Sequence, residues 1–345
     1  MPTQMRAAAI AGGVFVVAVV VFFLLGGGEE VPGLGAVLEP KTCPLTGEEP
    51  RSDKALDRAA VAIKVENAAV AYPLSGLEDA DIVFEEAVEG GITRFLAVYH
   101  CNDTSKAGPV RSARLVDPAI MTPLTRVLAF SGANNPVMQA LKKADVVAIQ
   151  ESEAGSAMQR IARAGISSEH TLYADSAKVR KVAAKRFSDP PEEGSYSFGD
   201  VPQGAKRATS VSISFSGATT IDYEWRDGRW LRSQNGAPFE AESGGQIAVD
   251  NVLIEEHEVN FSDTIVDVAG NPSVEIADVT GSGRAALFRN GRVIKGRWVR
   301  ESVDDPVRFE TRSGDDMVLQ PGTTWVHLVP NGKGDVKGSF SYEKR

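Results

Sequence analysis

Three arginines are the side chains of this sequence best suited to recognising an anion. Arg94 lies in GITRFLAVYH, and Arg111 and Arg114 lie in GPVRSAR. A guanidinium is planar, permanently charged and carries forked donors that match phosphate or carboxylate. Residues three apart face opposite ways in a strand but can converge at a turn or a helix start, so the Gly108-Pro109 turn signal ahead of Arg111 matters. Glu85, Glu86 and Asp117 stand near the arginines in sequence. They either neutralise the arginines in an internal ion-pair network or hold a divalent cation beside a bound anion. On the residues alone both readings stay open.

Other chemistries find less support. Glu85 and Glu86 are adjacent, so on a strand they point to opposite faces and cannot flank one bond; Glu86 with Asp117 could. Ser131-Gly132 lacks the G-x-S-x-G frame of a nucleophile elbow. His170 can be a base, a structural histidine or a surface residue. Four histidines and two cysteines leave little material for a multi-ligand zinc site. Gly281-Ser282-Gly283 and Asn290-Gly291 are not followed by the lysine and helix of a phosphate loop. Trp225, Trp230, Trp298 and Trp325 form either a sugar platform or core. A formal charge of −9 argues against general nucleic-acid binding. The pattern specifies no catalytic residue, cofactor or metal ligand.

The elements that must position these residues read as follows. Residues 92–100 carry β-branched and aromatic side chains on both parities, as a strand buried on two faces does. Residues 60–66 and 80–86 are further strands, and 126–131 and 145–150 alternate with a helix over 137–143. Asp117-Pro118 reads as an N-cap followed by proline at the first helical position. A helix over 176–187 and a proline-rich loop close an α/β (mixed α+β) domain spanning residues 56–203. From there the texture is β-rich. Asp227-Gly228 and Asn290-Gly291 are hairpin signals inside a second domain at 204–333, and 334–345 reads as a frayed tail.

Ahead of both domains lies an uncharged run at residues 7–28, flanked by Arg6 and by Glu29 and Glu30. At about 1.5 Å per residue it is long enough for a bilayer core. The flanking charges place residues 1–6 in the cytoplasm and the rest outside, a single-pass plasma-membrane anchor. A cleaved signal peptide is the alternative. Residues 29–55, rich in Gly, Pro and Glu, read as an extracytoplasmic linker. Two cysteines in an oxidising compartment form a natural pair, so a Cys43–Cys101 disulfide is expected, with two buried free thiols as the alternative.

Several spaced motifs together resemble the YerB-type bacterial cell-envelope family, defined by a pair of domains of unknown function. They are Glu85-Glu86, Glu89-Gly90-Gly91-Ile92-Thr93-Arg94-Phe95, and Gly108-Pro109-Val110-Arg111-Ser112-Ala113-Arg114. The second half adds Tyr223–Arg232, Gly296-Arg297-Trp298 and Pro321-Gly322-Thr323-Thr324-Trp325. The family usually has Pro-His where this chain has Glu169-His170, and often His-Gly where it has Ser131-Gly132. The resemblance implies location and architecture more than chemistry; many members are lipoproteins, whereas this chain offers an apolar anchor. The resulting expectation is a membrane-anchored extracytoplasmic binding or scaffolding protein. Its anion site is Arg94, Arg111 and Arg114, supported by Glu85, Glu86, Asp117, Ser131 and His170, and its partner is an anionic envelope ligand or envelope protein. The alternative is an envelope enzyme acting on phosphorylated lipid-linked glycans, by architectural analogy to the LytR-CpsA-Psr ligases.

Overall fold

The computed structural model describes residues 41–267 and 270–344. The uncharged run 7–28, with the residues before it and the start of the linker, lies outside them. Among the described residues no helix is long and apolar enough to cross a membrane. The fold is mixed and strand-rich, with few and short helices.

The first half supplies strands β1 (Val61–Glu66), β2 (Ile82–Ala87), β3 (Thr93–Tyr99), β4 (Val127–Ala129) and β5 (Val147–Ile149), and a small hairpin of β6 (Met158–Arg160) and β7 (Leu172–Ala174). The second half opens with β8 (Lys206–Arg207), β9 (Ser210–Ser214), β10 (Thr220–Arg226), β11 (Arg229–Gln234), β12 (Ala237–Pro238) and β13 (Ala248–Val249). It continues with β14 (Asn251–His257), a projecting pair β15 (Val259–Val266) and β16 (Pro272–Ile276), β17 (Gly281–Arg289), β18 (Arg292–Arg300), β19 (Arg308–Thr311), β20 (Thr324–Pro330) and β21 (Ser339–Glu343). The Asp227-Gly228 and Asn290-Gly291 turns join β10 to β11 and β17 to β18. The asparagine and aspartate adopt the positive φ that such tight hairpin turns require.

One large sheet crosses from the first half into the second. Its order is β19-β18-β17-β14-β20-β2-β3-β1-β4-β5, with β8 on β18. β20 lies between β14 and β2 and runs parallel to both. β1 also runs parallel to β4, and both β1 and β2 are antiparallel to β3. β1, β2, β4, β14 and β20 therefore present their carboxyl ends along one edge, where ligands bind in open α/β sheets. Both faces are covered, which is why β1, β3, β14 and β20 are buried at every position. One face packs on the second sheet, β12-β11-β10-β9-β21, through Phe95, Tyr223, Trp230 and Trp325. The other carries Phe84, Leu96, Leu328 and Trp298 under the helices Asp117–Met121 and Asn135–Lys143.

Three details differ from the sequence reading. The end of the linker is folded: the expected disulfide joins Cys43 to Cys101, 58 residues on, and Leu45 is wholly buried. The Thr46 carbonyl accepts from Gly322 N–H at 2.8 Å, tying this segment to the entry of β20. The stretch from Gly334 is not a frayed end. β21 pairs antiparallel with β9 over five residues, and Val336 packs with Val259 and Val274. Finally, residues 246–257 do not run as one strand of a uniform second domain but break at Asp250. The Asp250 backbone and side chain both engage Thr323, so β13 stays in the small sheet while β14 crosses into the large one.

Candidate functional site

The site is built on one cross-strand row. Glu66 of β1 is opposite Arg94 of β3, and Arg94 is opposite Glu86 of β2. Residues in register share a face, so all three rise toward the helix Asp117–Met121, as does Lys64 two positions before Glu66. The row lies at the carboxyl ends of β1 and β2.

Beneath it sits a closed ionic knot. The Lys64 ammonium, with no solvent exposure, bonds both Glu86 Oε1 and Asp117 Oδ1, the latter at 2.6 Å. The cation between these two carboxylates is thus a lysine, where the sequence suggested a metal. Asp117 does not cap its helix either: its other oxygen accepts from the Arg114 N–H at 2.6 Å, and the residue before the helix, Val116, makes no side-chain cap. A carboxylate committed to Lys64 has its lone pairs turned inward. Burial, which outweighs Lys64, holds the Glu86 carboxyl up at about 7.

Above the knot the segment 108–114 is threaded between two parts of the sheet. Arg111 N–H donates to Lys64 O at 2.9 Å, Ser131 N–H donates to Arg111 O at 2.9 Å, and Ala113 N–H donates to Gly132 O at 3.2 Å. Gly108 starts it at φ 148°, where an added Cβ would lie 2.8 Å from the Leu172 carbonyl. This threading brings the three guanidiniums near one another. Arg114 is satisfied: its Nε is 3.0 Å from Glu89 Oε2 and Nη2 bonds the same oxygen. Arg111 gives Nη1 to the Glu169 carbonyl at 3.0 Å, and its Nε is 3.8 Å from Glu66 with no hydrogen bond. Arg94 has no carboxylate within ion-pair distance among the described residues. It is 9% exposed, gives one hydrogen bond to Ser112 O at 3.3 Å, and leaves Nε buried without a partner. Burial, with Arg114 and Arg111 nearby, pulls its guanidinium down to about 9.

His170 closes one side. Its Nδ1 lies 2.7 and 2.8 Å from the two Glu66 oxygens, and its Nε2 is 3.2 Å from Glu169 Oε1. Burial raises the Glu66 carboxyl despite His170 and Arg111.

The profile described as "Protein of unknown function (DUF3048) N-terminal domain" matches residues 45–190, and its C-terminal counterpart matches 211–326. The Bacillus subtilis (strain 168) protein named "Putative lipoprotein YerB" is 27% identical over 297 residues, covering 84% of this chain and 86% of that one. The chain belongs to the YerB-like family. The crystal structure of YerB protein from Bacillus subtilis superposes with a TM-score of 0.69, covering 87% of this chain and 99% of that one at 24% identity.

In this YerB-like fold the remaining residues singled out from sequence fall elsewhere. Glu85 faces the opposite side of β2 from Glu86. It meets Arg232 at 3.1 Å, His327 at 3.1 Å and the Thr93 hydroxyl at 2.6 Å. Arg232 is itself fully buried among Phe95, Phe239 and Trp325. Ser131 contributes backbone only, its carbonyl accepting from Ser112 Oγ at 3.0 Å. Trp230, Trp298 and Trp325 are core. Lys64 and Glu66 are not marked out in the sequence as site residues. The available signal was that Lys64 and Glu66 occupy alternate positions in AVAIKVE, two charges on one face of an otherwise apolar strand.

Proposed function

We propose that this chain is an extracytoplasmic protein of the bacterial cell envelope that binds an anionic ligand through Arg94 and Arg111, with Arg114 and the Lys64 knot as its fixed frame. The observation that carries the reading is Arg94. A guanidinium at 9% exposure with no carboxylate partner and an unpartnered Nε is costly unless an anion completes it. Arg111 Nε is unpartnered beside it. Envelope location is supported by the disulfide, which belongs to oxidising compartments, and by the lipoprotein name of the Bacillus relative. The uncharged run 7–28 supports a membrane anchor in this chain with the folded part outside.

Isothermal titration of the full-length protein with pyrophosphate and with orthophosphate tests the site. Arg94→Met and Arg111→Met should each weaken binding at least about tenfold, the loss of one charge-assisted contact. Arg94→Met should also leave the melting temperature unchanged or raise it, since no carboxylate is orphaned. Absence of binding, or variants that bind as the parent does, would refute the anion site. Membrane fractionation with external protease tests the location separately.

A further inference from the structure

We infer that His170 acts as a general acid in hydrolysing a phosphoanhydride bond held at the arginine site, an inference that rests on the anion-binding reading above. A carboxylate lies within reach of each ring nitrogen, an arrangement that suits the imidazolium, in which both nitrogens carry protons. The two carboxylates differ in kind. Glu66 is buried at the end of β1 and grips Nδ1 with both oxygens. It fixes the ring and keeps Nδ1–H. Glu169 is 62% exposed and touches Nε2 with a single oxygen at 3.2 Å. It is the replaceable partner, and an anionic oxygen from a ligand can take its place.

The ligand is brought there by Arg111. Its Nη1 bonds the Glu169 backbone carbonyl, one residue before His170, and its Nε stands 3.8 Å from the Glu66 carboxylate that grips the ring. Arg94 stands opposite Glu66 in register. An anion gathered by Arg94 and Arg111 therefore lies beside the outward nitrogen of His170. The charged groups facing this ring are Glu66 from β1, Glu169 from its own turn, Arg111 from the threaded segment and Arg94 from β3.

In the step, a water oxygen attacks the phosphorus held by the arginines. The bond from that phosphorus to the bridging oxygen breaks, and its electron pair stays on the bridging oxygen. That oxygen takes the Nε2 proton, the attacking water releases its surplus proton to solvent, and His170 is reprotonated from solvent. One water is consumed and two phosphate groups result.

The test uses full-length protein and inorganic pyrophosphate, with binding followed by calorimetry and turnover by phosphate release. Binding with steady phosphate release is expected. His170→Gln should lower turnover about 10²-fold or more with pyrophosphate affinity kept within a few-fold. His170→Asn, which keeps a donor for Glu66, should behave the same way and guards against a folding artefact. Glu169→Ala should tighten binding. Pyrophosphate bound without phosphate release, or variants that turn over at the parent rate, overturn the inference and leave the anion site standing. No binding at all overturns both.

Discussion

Glu85 and Glu86 are neighbours in β2, yet each is held by a different half of the chain. Glu85 meets Arg232 and His327 from the second half, whereas Glu86 meets Lys64, itself bonded to Asp117, from the first. The alternation of a strand turns two adjacent acids into two separate ionic centres. One frames the arginine site, and the other lies between the large sheet and the small one.

The Lys64 knot should behave as a buried ion pair. Lys64→Met leaves Glu86 and Asp117 buried without a cation and should cost about 3–5 kcal/mol in urea denaturation. Adding Glu86→Gln and Asp117→Asn should recover much of that loss. A Lys64→Met variant as stable as the parent would show that the knot contributes nothing.

The Arg232–Glu85 pair should show the same asymmetry. Arg232→Met should cost about 3–5 kcal/mol because Glu85 keeps its charge in a site with no exposure. The double variant with Glu85→Gln should be closer to the parent than either single one, a coupling that a double-mutant cycle reads directly.

The disulfide closes a loop with a sequence separation of 58 residues and should stabilise the fold by about 2–4 kcal/mol. Denaturation midpoints with and without reductant should differ by that amount, and Cys43→Ser/Cys101→Ser should match the reduced protein. Coincident midpoints would contradict this.

His257 should make stability depend on pH on the alkaline side. Burial alone would lower its pKa, but hydrogen bonds to Asp278 and Glu255 carry it to about 9. A pKa raised on folding gives stability that is complete below the unfolded value near 6.5 and is lost as pH rises through about 9. The contribution is about 3 kcal/mol at most. His257→Gln should therefore be less stable than the parent at pH 6 and converge on it by pH 10. A constant difference between them at all pH values would rule this out.

Much of the fold was legible because it is local. The apolar runs of β1, β2 and β3 and the two tight hairpin turns are written in consecutive residues. Residues 339–343 (SFSYE) alternate clearly too. The insertion of β20 between β2 and β14 could not be read, since parallel neighbours leave no mark in the intervening sequence. The same limit hid the site's frame. Lys64 and Glu66 stand beside Asp117 and His170 only through pairings 53 and 104 residues apart in sequence.

The position of β20 also sets an order of events during synthesis. Residues 324–330 follow every other strand of the large sheet in sequence but lie in its interior. Until they leave the ribosome, β2 and β14 each expose an unpaired edge, and Glu85 lacks His327. The first half can form hairpins early, but the sheet can be completed only when β20 has been made. A sheet that stays open until β20 arrives is one whose bare edges are exposed to other chains in the meantime.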